Sequence, residues 1–96
     1  MRWWLVQFRR EKGFESPDEL NQFVSEVRAE LEAAGFAAAA GRFAEIQATA
    51  FTTGSEWLGE LRAAAKENRR EKAIPPALAE KLDRIMREVR RAWPRL

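Results

Sequence analysis

The sequence predicts an all-α fold, a four-helix bundle-like domain with a short N-terminal helix or arm. Three observations carry that expectation. Apolar residues recur at spacings of three and four along most of the chain, the period of a half-buried helix. Helix-start chemistry stands at Ser16-Pro17-Asp18-Glu19 and at Thr53-Gly54-Ser55-Glu56, and stop signals stand at Gly35 and Trp93-Pro94. Only residues 2–12 have a strand-like composition, and no second such segment exists for them to pair with. The length, 96 residues, fits one domain spanning 1–96 with a modest core.

Residues 2–12 (RWWLVQFRREK) are therefore read as a helix or arm. A helix places Trp4, Leu5 and Phe8 on one side, with Gly13 as its stop. Adjacent Trp3 and Trp4 cannot both face the same core, so Trp3, Trp4 and Phe8 are the candidate partner contacts, tryptophan being enriched at interfaces. The first main helix is expected over 17–34. Ser16 is its N-cap, Pro17 its first residue and Glu19 the third, a capping box, with Asp18 and Glu19 at the positive end of the helix dipole. Leu20, Phe23, Val24, Val27, Leu31 and Ala34 then fall within an arc of about 100°.

An alanine-rich helix is expected over 36–52, with Phe36, Ala40, Phe43, Gln47, Ala50 and Phe51 along one side. Thr52-Thr53-Gly54-Ser55 is the ambiguous junction. Threonines and glycine are poor helix formers, and Thr53-x-x-Glu56 matches a capping box that would start a new helix over 55–70. Against a break, apolar positions 36, 43, 50, 57 and 64 step by sevens straight across it. The alternative fold is thus a long continuous central helix, about 50 Å long, which exceeds a compact domain of this size and would require a dimer. The turn is preferred. Ile74-Pro75-Pro76 makes a corner before a last helix over 76–93, in which Leu78, Leu82, Ile85, Val89 and Ala92 or Trp93 form the apolar seam and Met86 widens it.

Composition excludes several chemistries. With no cysteine, histidine or tyrosine, the chain offers no thiolate, no imidazole base and none of the Ser-His or Cys-His arrangements. The acids Asp18, Glu26, Glu32, Glu45 and Glu80 fall mostly outside the apolar arcs, so neither a metal nor a cofactor is expected, and the chain is not expected to be an enzyme. The apolar run in MRWWLVQFRR is too short for a secretory segment, and nothing approaches the length of a membrane span, so the expected location is cytoplasmic.

Charge is segregated. Residues 1–12 carry four basic side chains and one acidic, residues 13–65 three against nine, and residues 66–96 ten against five. Arg84, Arg87, Arg91 and Arg95 fall within an arc of about 80° on the last helix, opposite its seam, and form a candidate basic face diluted by Glu80 and Glu88. Thr52, Thr53, Ser55 and Glu56 are the densest hydroxyl and carboxylate cluster and a candidate polar contact. The expected function is a non-enzymatic helical protein-interaction or regulatory module, as a homodimer or as the inhibitor of a cognate partner. The alternative is a nucleic-acid-binding accessory protein using the basic last helix.

Overall fold

The computed structural model describes residues 13–51 and 53–92. Four helices are present among them, α1 (Pro17–Ala33), α2 (Ala37–Ala48), α3 (Gly54–Arg69) and α4 (Pro76–Ala92), and no strand. The all-α bundle is as expected. Residues 1–12, with the expected N-terminal helix and Trp3, Trp4 and Phe8, lie outside the described residues, as do Thr52, Trp93, Pro94 and Arg95.

The start of α1 keeps half of its expected capping box. Ser16 Oγ accepts from the Glu19 N–H at 3.2 Å, but the Glu19 carboxylate reaches past Ser16 to accept from the Glu15 N–H at 2.9 Å. The end of α1 is a complete Schellman motif. Gly35 adopts φ +92°, its N–H donates to Glu32 O, and the Phe36 N–H donates to Leu31 O at 2.8 Å. This satisfies carbonyls that the last turn would leave orphaned and turns the chain directly into α2.

The long continuous central helix is overturned, because α2 and α3 are separate. The break also begins earlier than expected, with α2 stopping at Ala48 rather than 52. At Thr49 the backbone becomes extended (ψ 133°), the hydroxyl donates to Glu45 O at 2.7 Å and the N–H donates to Ile46 O. A β-branched residue bonding back to the preceding turn tightens the helix end and competes with continued helix. Ala50 is consequently exposed and off the helix, while Phe51 still packs half-buried against the core. The next start is a full capping box: the Glu56 N–H donates to Thr53 Oγ1 at 3.2 Å and the Thr53 N–H to Glu56 Oε1 at 3.1 Å. Between α3 and α4, Glu71 organises the corner by accepting from Ala73 N–H through its side chain and from Ile74 N–H through its carbonyl. Pro76 opens α4, as expected.

Sequential helices pack as two hairpins, α1 with α2 and α3 with α4; the hairpins meet through α1–α4 and α2–α3, leaving α1 and α3 diagonal. One apolar cluster fills the centre, with Val24, Val27, Leu31, Phe43, Leu61, Leu82, Ile85 and Val89 completely buried. In α2 and α3 the small side chains Ala39, Ala40, Ala64 and Ala65 are also buried, which lets these helices approach closely. Alternation of direction gathers the start of α1, the break between α2 and α3, and the end of α4 at one end of the bundle.

Candidate functional site

That end holds a largely apolar cleft of about 260 Å³. Phe14 to Pro17 and Leu20 form one wall, Gly54, Trp57 and Leu58 in the first turn of α3 form the opposite wall, and Glu88 and Ala92 of α4 complete it. α1 and α3 are diagonal in the bundle, and the cleft lies between their first turns. Trp57 and Leu58 are half-buried: they pack on the core with one side and face the cleft with the other. The capping box at Thr53 fixes where α3 begins, and so sets the position of both side chains.

Glu88 is the unexpected member. The helical pattern puts it among the arginines of the basic face, yet it is only 3% exposed. Its Oε1 accepts from the Phe14 N–H at 3.0 Å, tying the segment that leads into α1 to the last helix. Its Oε2 has no hydrogen-bond partner among the described residues; Arg91 Nη2 stands 3.7 Å away, within ion-pair range but beyond hydrogen-bond range. The Arg91 guanidinium lies against Gly13, where any Cβ would overlap it. A sequence signal for this burial does exist. Glu88 lies one residue before Val89 and three after Ile85, roughly 90° from the centre of the seam, on the boundary between the seam and the basic face.

The basic face resolves into separate contacts. The Arg84 guanidinium lies over the rings of Phe14 (4.5 Å to the centroid) and Phe23 (5.0 Å), which themselves pack at 5.3 Å. Arg87 pairs with Glu80 at 3.1 Å, and Arg91 is the neighbour of Glu88. A shallower groove beside Arg84 is edged by Asp18, Glu19, Gln22 and Glu26. The polar cluster is likewise turned inward on itself, with Thr53 Oγ1 within hydrogen-bond distance of both Ser55 Oγ (3.1 Å) and Glu56 Oε1 (3.2 Å). It flanks the cleft through Gly54 rather than lining it with hydroxyls.

Among the described residues there is no group of three or more acidic side chains placed to hold a metal ion. No helix among them is long and apolar enough to cross a membrane. No family model matches the chain, and neither does any curated protein or any solved structure.

Proposed function

We propose that this chain is a cytoplasmic, non-enzymatic protein-interaction module that holds its partner at the apolar cleft between α1 and α3. The observation that carries this reading is the pair Trp57 and Leu58. Both are large apolar side chains at the start of a helix, fixed from below by the core and opposed across open space by Phe14 and Leu20. A preformed apolar recess with an aromatic wall suits the anchor side chain of a protein partner, the kind of contact that dominates interface energetics. The arginines of α4 favour the same reading over nucleic acid, since Arg84, Arg87 and Arg91 are engaged within the molecule.

Leu58→Glu tests it. The side chain is half-buried at the rim, so the fold should survive with a modest loss of stability while a charge is planted in the recess. Light scattering across a concentration series, together with affinity isolation from native cells, should show wild-type self-association or a specific bound protein that Leu58→Glu loses. A monomeric wild-type chain retaining the same companions as Leu58→Glu would remove the proposal.

A further inference from the structure

The cleft has a floor of unusual chemistry for an apolar recess. Glu88, 97% shielded from solvent by its 3% exposure, satisfies one oxygen with the Phe14 N–H and leaves the other without a hydrogen-bond donor among the described residues. A buried carboxylate oxygen without a donor is costly, and a charged hydrogen bond to it gains more than an ordinary one. Arg91 answers this need incompletely. Its Nη2 stops at 3.7 Å, and its side chain is 54% exposed, so much of the guanidinium remains in water. The guanidinium of Arg91 rests on the backbone of Gly13, in the space that a side chain at that position would fill.

The size of the recess limits the occupant. About 260 Å³ falls just below the roughly 300–1,000 Å³ of sites that enclose a drug-sized ligand. It accommodates one large side chain of a protein segment that continues across the surface. Resting on the reading of this end as a protein-binding surface, we propose that the cleft recognises a segment presenting an aromatic or branched apolar side chain next to an arginine. The apolar group lies between Phe14, Trp57 and Leu58, and the partner's guanidinium displaces Arg91 to complete the hydrogen bonding of Glu88 Oε2. Arg91 is then the placeholder of the unbound state, and Glu88 is the specificity group that distinguishes a basic apolar segment from a merely apolar one.

Three probes and two variants of the full chain test this by amide NMR titration. The probes are acetyl-Arg-Trp-Leu-amide, its neutral counterpart acetyl-Gln-Trp-Leu-amide, and tryptamine. The arginine peptide should shift the amides of Phe14, Gly54 and Leu58 and bind about tenfold more tightly than the glutamine peptide, the difference expected for one charge-assisted hydrogen bond. In Glu88→Gln, whose amide oxygen still accepts from Phe14 N–H, that preference should vanish. In Arg91→Ala, which keeps Glu88 and removes its competitor, the preference should widen. Equal binding of the two peptides to the wild-type chain overturns this inference and leaves the protein-binding reading standing. No binding of either peptide at millimolar concentration overturns both. Tryptamine binding as tightly as the arginine peptide marks a small-amine site and overturns the protein-segment assignment. So does a shift of the signals of residues 1–12 on Glu88→Gln alone, which would give the cleft to the chain itself.

Discussion

Thr53 and Glu56 exchange two hydrogen bonds across the first turn of α3, so two backbone donors that would otherwise be orphaned are satisfied by side chains on the same turn. Glu56 also sits at the positive end of the helix dipole. Thr53→Ala removes the acceptor for the Glu56 N–H and keeps the backbone N–H that donates the reciprocal bond. The unfolding free energy should fall by about 1 kcal/mol, within the 0.5–2 kcal/mol range of N-cap losses. In urea titrations this is a lower midpoint at an unchanged slope, because the exposed surface on unfolding is the same. A midpoint equal to that of the wild type would mean that Ser55 or water replaces the cap. Such capping was readable in the sequence because it involves residues three apart. Burial of Glu88 was only partly readable: the helical period places it beside the seam, but the donor that holds it, the Phe14 N–H, lies 74 residues away in the chain.

Each hairpin has its own polar clasp beside the core. In the first, the two N–H groups of Gln47 Nε2 on α2 are shared among Asn21 Oδ1 (3.0 Å), Asn21 O (3.2 Å) and Ser25 Oγ (2.9 Å) of α1, and its Oε1 accepts from Arg28 Nη1 at 2.8 Å. In the second, Arg69 of α3 bonds Asp83 of α4 at 3.0 Å. One amide side chain thus sets the register of α1 against α2 through three residues on successive turns. Gln47→Ala should cost about 1–2 kcal/mol, because several net hydrogen bonds are lost but their partners are near enough to water to be partly compensated. A double-mutant cycle with Arg28→Ala should return a coupling of at least about 0.5 kcal/mol, and additive losses would show that the Arg28 contact contributes nothing of its own. The helical period had placed Gln47 on the apolar side of its helix, and the structure explains why a polar residue is tolerated there. The end of α2 was less legible. Apolar positions repeat by sevens past Thr49, and a heptad row is blind to a threonine hydroxyl bonding back to Glu45. Which helices neighbour each other was not legible either, because amphipathic faces state what is buried and not against what.

Across the whole molecule the hairpins join along two seams, and both have the same construction. On the outside, Arg42 of α2 pairs with Glu60 (3.1 Å) and Glu67 (3.8 Å) of α3, and Lys81 of α4 pairs with Glu30 of α1. On the inside, the shared cluster runs unbroken from Val24 and Phe43 to Leu61 and Ile85. The magnitudes decide between them. These ion-pair side chains are 33–67% exposed, and pairs of that kind contribute about 0.2–1 kcal/mol each and are screened by salt. A buried Phe or Leu side chain contributes several times more when truncation leaves a cavity. The hairpins are therefore coupled by the core, with the acidic middle and basic end of the sequence adding orientation rather than strength. Arg42→Gln combined with Lys81→Gln should lower stability by less than about 2 kcal/mol and leave one unfolding transition, with circular dichroism and tryptophan fluorescence following the same curve. Phe43→Ala, at a side chain with no exposure that the cluster encloses, should cost about 3–5 kcal/mol and lower both signals together. Two separate transitions in the double charge variant, one for each hairpin, would mean that the seams depend on their ion pairs rather than on the shared core.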